Sequence, residues 1–380
     1  MLPLWVVATI LAGSVVVLLY QGIAILFAFE MPRLDPAPAS AGTERRPKVS
    51  VIIAARNEEL DLPATLDDLL VQDYPNLEIL VVEDGSTDGT RAIIEARAPR
   101  VRCVHPPPLP HGWVGKNWAC AAGAAAATGD WLLFLDADVR THPTAVRAAL
   151  EWAVKERAEL ASLATRIEMG GGWERVAMPF YVQMTLTYFR TPHVNRPGSR
   201  AAMANGQFWL SPRSAYERVG GHASVKGEIL EDVAMARQYR AAGLPIRIAW
   251  APELAQTRMY RSGREILAGL VRTVQGSPAS TPLLGGFVVA LGALFLLPLA
   301  VLPVGLATGS IALTGMGAIL WVALFGKHVA FARAVGAPGG YGLLFPAAVA
   351  FYMVVVGAAF GRRLTGRPVE WKGRAYGPRR

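Results

Sequence analysis

Phe134-Leu135-Asp136-Ala137-Asp138 sets two carboxylates one residue apart, directly after an apolar run. Like charges held this close repel. A hard cation such as Mg²⁺, held by one or two carboxylates and by substrate phosphates, relieves that repulsion. A solvated turn or helix cap ahead of Pro143 is the competing use of the pair. Val81-Val82-Glu83-Asp84-Gly85-Ser86 ends a second apolar run in acids and turn formers. There Asp84 can accept a hydrogen bond from a nucleobase imide or a ribose hydroxyl, or can cap the next helix. Ala54-Ala55-Arg56-Asn57-Glu58-Glu59 makes a third polar cluster, in which Arg56 and Glu58 are the donor-side candidates. Glu58 also suits the N-terminus of a helix on electrostatic grounds alone.

Further along, Glu231-Asp232 opens a helical pattern. An acid pair there is a common cap, and Asp232 could equally act as a general base on an acceptor hydroxyl. Arg258 and Arg261 stand three apart, a spacing suited to gripping a departing pyrophosphate. Gly112-Trp113-Val114-Gly115-Lys116-Asn117 lacks the spacing of a nucleoside-triphosphatase phosphate loop. Lys116, at a helix start, can still contact phosphate. The six histidines are scattered, and Cys103 and Cys120 share no metal-ligand spacing with them.

These clusters need a scaffold that brings them together. Val49–Ala55, Leu77–Glu83, Val101–Val104 and Trp131–Leu135 read as buried strands, with helices expected over Leu60–Val71, Thr90–Arg97 and Lys116–Ala127. Strand-helix alternation predicts an α/β domain with a mostly parallel sheet, and ligands then gather at the carboxyl ends of its strands. The aromatic stretch from Trp173 to Phe189 reads as a helix at a membrane interface.

The whole chain of 380 residues is 52% hydrophobic and 18% charged, with a net charge of +9. The apolar excess sits at the two ends. The basic residues are dispersed, without an aromatic-interleaved stripe, so nucleic acid is not an expected partner. Residues 1–30 are expected to form a transmembrane helix and 31–48 a linker, followed by an α/β domain over 49–280. Membrane helices are expected over 281–361 and a basic tail over 362–380. Arg33, Arg45, Arg46 and Lys48 follow the first span, which puts the domain after it on the cytoplasmic side. Three full crossings would then carry the tail outside, against its positive charge. One stretch among Pro282–Val304, Ile311–Phe325 and Tyr341–Phe360 is therefore expected to be re-entrant or interfacial.

In order and spacing, Val49 to Glu58, Glu83-Asp84-Gly85-Ser86, Asp136-Ala137-Asp138, Glu231-Asp232 and the arginines near Arg261 resemble the family-two inverting glycosyltransferases of GT-A, Rossmann-like fold. The apolar ends make the chain similar to the lipid-acceptor branch, which includes ceramide glucosyltransferase and the hopanoid- and carotenoid-associated enzymes. Ser262 stands where that branch carries Trp. The resemblance implies a nucleotide-sugar donor of UDP type and a lipid acceptor such as a hopanoid, carotenoid, polyprenyl or sphingolipid-like lipid. It also implies Mg²⁺ or Mn²⁺ at Asp136 and Asp138, Asp84 on the nucleoside, Asp232 as base, and Arg258 and Arg261 on leaving-group charge. The implied location is a bacterial inner membrane with the catalytic domain cytoplasmic. A processive polysaccharide synthase needs polar residues lining its spans, and a nucleotidyltransferase has no evident use for Asp232.

Overall fold

The computed structural model describes residues 46–377, residues 31–36 and isolated positions between 12 and 22. Most of the span expected over 1–30, most of the linker and the last three residues of the tail lie outside the described residues. The chain forms two compact units.

The first unit comprises Met31–Glu168 and Thr191–Met259. Its chain runs β1 (Val49–Ala55), α1 (Leu62–Leu70), β2 (Leu77–Glu83), α2 (Thr90–Glu95), β3 (Arg102–Val104), α3 (Gly115–Ala126), β4 (Trp131–Leu135), β5 (Val139–Thr141), α4 (Ala145–Lys155), β6 (Leu160–Ala164) and β7 (Arg166–Ile167). The unit's second segment adds β8 (Phe208–Pro212), α6 (Arg213–Arg218), α7 (Glu231–Ala241), β9 (Ile246–Trp250) and β10 (Ala255–Thr257), and α5 (Gly172–Tyr188) belongs to the other unit.

Seven strands form one sheet in the order β3-β2-β1-β4-β8-β6-β9. The strands β1, β2, β3 and β4 are parallel, and β1, β2 and β4 are the apolar, largely buried runs expected of such a sheet. Val51, Ile52, Ile53, Leu80, Val81, Val82, Leu132 and Leu133 are all fully buried. Each such side chain contributes roughly 1.5–3 kcal/mol by leaving water. The strand β8 runs antiparallel between β4 and β6, pairing Phe208 with Leu135. A smaller sheet orders β5-β10-β7 and pairs Thr257 with Val139.

Helix α3 is rich in alanine and glycine, which lets it lie close on β1 and β2. A Cβ on Gly123 would stand 2.5 Å from Ile52 Cγ2 and 2.9 Å from Val82 Cγ2, closer than real contacts allow. That close seat fixes the height at which the first turn of α3 meets the strand ends.

The second unit holds α5 (Gly172–Tyr188) and α8 (Gly263–Gly276). It continues through α9 (Thr281–Thr308), α10 (Ile311–Ala334) and α11 (Gly339–Leu364), which are long and apolar enough to cross a membrane. A hairpin of β11 (Val369–Trp371) and β12 (Arg374–Tyr376) ends it. The middle apolar stretch is longer than its sequence suggests. Lys327 and His328 interrupt the apolar run after Phe325, yet the helix continues to Ala334. His328 is buried there, its Nδ1 2.8 Å from the carbonyl of Leu324 and its ring stacked on Phe345.

Candidate active site

Parallel register carries three of the polar clusters to one edge. Ala55 lies opposite Glu83 and Ile52 opposite Phe134, so β1, β2 and β4 end side by side. The Asp84 amide donates to the Ala55 carbonyl at 3.0 Å, and Arg56 Nη1 donates to the carbonyls of Asp84 and, at 2.9 Å, Gly85. Asn57, with φ of 54°, accepts from the Thr87 amide at 2.8 Å and stitches the two turns together. The Glu58 amide is taken by Thr90 Oγ1 at 2.7 Å. Two turns from separate strands are thereby locked into one wall, with the Asp84 carboxyl buried in it.

Asp136 and Asp138 follow β4. Protein fills most of the volume around Asp138, while part of its surface stays open. Burial, then the charges of Asp136 and Glu58, push its pKa up to about 7. A buried carboxylate pair one residue apart fits a divalent cation. Among the described residues no group of three or more metal-ligating side chains forms a complete cage. The pair therefore suits a metal that takes its remaining ligands from a phosphate-bearing substrate.

The antiparallel strand β8 supplies the side of the edge that sequence reading missed. Because Phe208 pairs with Leu135, the residues just before β8 reach the same edge as those just after β4. The Asp136 amide donates to the Gln207 carbonyl at 3.2 Å. The Gly206 amide donates to Asp232 Oδ2 at 2.8 Å, and a Cβ on Gly206 would stand 3.0 Å from that oxygen. Gly206 thus holds Asp232 at close quarters, where an added Cβ would press on the carboxylate. Burial and the neighbouring charge of Glu231 raise the Asp232 pKa to about 7, a value suited to a base at neutral pH.

Lys116 ties the two sides together. Its Nζ lies 2.7 Å from Asp136 Oδ1 and 2.7 Å from Glu231 Oε1. Burial alone would lower the pKa of this ammonium, but Asp136 and then Glu231 outweigh it and hold the pKa well above the ordinary lysine value. The backbone on either side is fixed. Asn117 Nδ2 donates to the carbonyls of Val225, Lys226 and Glu228, and the Val114 amide donates to Lys226. Those bonds lash the start of α3 to the loop that delivers Glu231 and Asp232.

Of the predicted residues, Arg56, Glu58, Asp84, Lys116, Asp136, Asp138, Glu231 and Asp232 thus stand along one edge of the sheet. Arg258 follows β10, and the pairing that sets Thr257 opposite Val139 carries it to the end of β5, beside Asp138. Arg261 belongs to the second unit, exposed ahead of α8, where its amide donates to Glu265 Oε2 at 2.9 Å. Thr257, Gly206 and Gln207 were not legible as site residues, although Gly206 next to a short apolar run is the kind of signal that marks a close approach.

A mostly parallel sheet with acids gathered at its carboxyl edge, interrupted by one antiparallel strand, defines a glycosyltransferase domain of GT-A type. Residues 50–220 match Glycosyl transferase family 2, and the chain carries a domain of that family. It is 27% identical over 241 residues to 4,4'-diaponeurosporenoate glycosyltransferase of Staphylococcus haemolyticus, covering 63% of this chain and 64% of that protein. To the protein of the same name from Staphylococcus aureus it is 28% identical, over 58% of each. The matched stretch thus spans less than two thirds of these relatives' own length. The fold is shared with mannosyltransferase PcManGT from Pyrobaculum calidifontis, solved in complex with GDP-Man and Mn²⁺. That likeness has a TM-score of 0.52 and 21% identity, and covers 93% of this chain and 99% of the other.

Proposed function

We propose that this glycosyltransferase moves a sugar, with inversion, from a nucleoside-diphosphate sugar of UDP type to a membrane lipid. The observation that carries this reading is the Lys116 bridge. It joins the acids after β4, suited to a metal and diphosphate, to the acids opening α7, suited to an acceptor.

In this reading Asp84 and Arg56 belong to the nucleoside wall, Asp84 by accepting from an imide or ribose hydroxyl and Arg56 by fixing the turn. Asp136 and Asp138 would hold Mg²⁺ or Mn²⁺, which when bound supplies charge neutralisation on the diphosphate. Glu58 adds negative charge beside Asp138, and Lys116 adds a cation toward phosphate. Asp232 Oδ takes the proton of the acceptor hydroxyl. The freed oxygen pair attacks the anomeric carbon, and the bond to the diphosphate breaks with its electrons leaving on the nucleotide. Arg258 stabilises that departing charge, and Glu231 keeps Lys116 in place. A positioned base of this kind contributes about 10²- to 10⁴-fold.

The apolar helices of the second unit and the carotenoid-related names of the relatives support a lipid acceptor in a bacterial membrane. The basic cluster after the first apolar stretch supports a cytoplasmic catalytic domain over 49–280. Detergent-purified protein incubated with a panel of nucleotide sugars and total membrane lipid, followed by mass spectrometry, tests the whole. A new lipid hexoside from one donor is expected. Donor turnover that yields a diphosphate linkage or a long polymer would overturn it in favour of a nucleotidyltransferase or a synthase.

A further inference from the structure

The Lys116 ammonium stands where an incoming divalent cation must act. Its 2.7 Å contact is with Asp136, one of the two candidate metal ligands, and its second contact of equal length is with Glu231. Asp136 and Glu58 both add negative charge at Asp138, so acids converge at the end of β4. The carboxylates are therefore balanced in part by an internal cation. The Lys116 side chain is mostly buried, 19% exposed, and its backbone is clamped by the Asn117 hydrogen bonds to the 225–228 loop. Any change of partner must then come from rotation of the side chain alone, over the few ångströms that a four-carbon stem spans.

Resting on the donor reading above, we propose that Lys116 is a stand-in cation that makes metal binding conditional on the nucleotide. A divalent ion arriving alone meets a site already partly neutralised and must either displace the ammonium from Asp136 or sit close to a like charge. A nucleoside diphosphate changes the balance. Its phosphate oxygens give the ammonium a new anionic partner, so Lys116 turns from Asp136 to the diphosphate while keeping Glu231. Asp136 is then released to the metal, which also gains phosphate ligands. Metal and nucleotide bind with positive coupling, and each raises the affinity of the other by the same factor. The consequence for the cell is a site that stays free of adventitious divalent ions until donor arrives.

The test is Mn²⁺ binding to the full-length protein in detergent, read from the spin-resonance signal of free Mn²⁺, with and without saturating UDP. In the wild type, Mn²⁺ alone is expected to bind weakly and UDP to tighten it at least tenfold. In Lys116→Met, Mn²⁺ alone is expected to bind about tenfold more tightly than in wild type, with the gain from UDP shrinking to within about threefold. Lys116→Gln gives the same readout should the methionine variant not fold, and Lys116→Arg, which keeps the cation, is expected to retain most of the coupling. Unchanged or weaker binding of Mn²⁺ alone in both neutral variants, with UDP coupling intact, overturns the stand-in role and leaves the donor reading standing. A wild type in which UDP does not affect Mn²⁺ binding overturns both.

Discussion

The two units bury charge in opposite ways. In the helical unit the cation of Arg363 is closed off by main-chain oxygens. Its guanidinium donates to the carbonyl of Gln275 at 3.0 Å through Nε and at 2.6 Å through Nη2, and also to the carbonyls of Ser277 and Ala279. These are the orphan acceptors at the end of α8 and the segment after it, so a charge completes a helix cap. In the α/β unit the buried charges face one another instead. Lys116 sits between Asp136 and Glu231, and Asp138 is buried beside Asp136 and Glu58, whose charges raise its pKa. A cation satisfied by fixed carbonyls is structural, because those acceptors cannot move. A cation shared among carboxylates that outnumber it can exchange partners when a ligand brings new charge. That contrast separates a charge that holds the fold from one that does chemistry.

Asp232→Asn should give the largest effect, a loss of turnover of about 10³-fold, with nucleotide affinity within twofold of wild type. Turnover within tenfold of wild type would remove Asp232 from the mechanism and reduce its raised pKa to a by-product of burial. The pH profile comes next. With a hydroxyl acceptor, turnover should rise with a slope near one as pH increases through about 7 and level off above it, because Asp232 must lose its proton to act. An acceptor presenting a carboxylate needs no base, and its profile would be flat there. Stability follows the opposite course. A carboxyl raised from 3.8 to about 7 stabilises the folded state fully below the lower value and loses that contribution as pH rises through the upper one. Asp232→Asn should therefore narrow the fall in thermal midpoint between pH 5 and pH 8.

On the other side of the comparison, Arg363→Ala should lower the thermal midpoint by several degrees through unpaired carbonyls, while turnover per folded molecule stays within about threefold. Loss of turnover without loss of stability would place a working charge in the helical unit and blur the contrast. The smallest effect expected is from Gly206→Ala. Its Cβ meets Asp232 Oδ2 at 3.0 Å, so the carboxylate must give by a few tenths of an ångström. A fall in kcat of about five- to tenfold with little change in KM is expected, and an unaltered kcat would show that the position of Asp232 is loosely specified.

The parallel half of the sheet was legible because its strands are buried on both faces. Val49–Ala55, Leu77–Glu83 and Trp131–Leu135 are found with the expected bounds, and their ends bring Arg56, Asp84 and Asp136 to one edge. The antiparallel strand Phe208–Pro212 was not, since five residues after an irregular stretch carry little period to read. With it went the link between Gly206 and Asp232. Lys116 could be placed at a helix start, but which carboxylates it bridges depends on how α3 lies on β1 and β2, a matter of contacts rather than spacing. In the helical unit, Lys327 and His328 hid the last turns of α10, because the cost of burying polar groups is met there by aromatic faces and a carbonyl that no local pattern reveals.

The central claim is that the carboxylates between positions 84 and 232 serve one metal-diphosphate pocket. A structure of the full-length protein with Mn²⁺ and UDP, with the metal located by its anomalous signal, tests it most directly. The account predicts manganese on Asp136 and Asp138, the uridine against Asp84, and the diphosphate within reach of Lys116, with Asp232 open toward the free side of the metal. Manganese or nucleotide bound away from the edge formed by β1, β2 and β4 would contradict it.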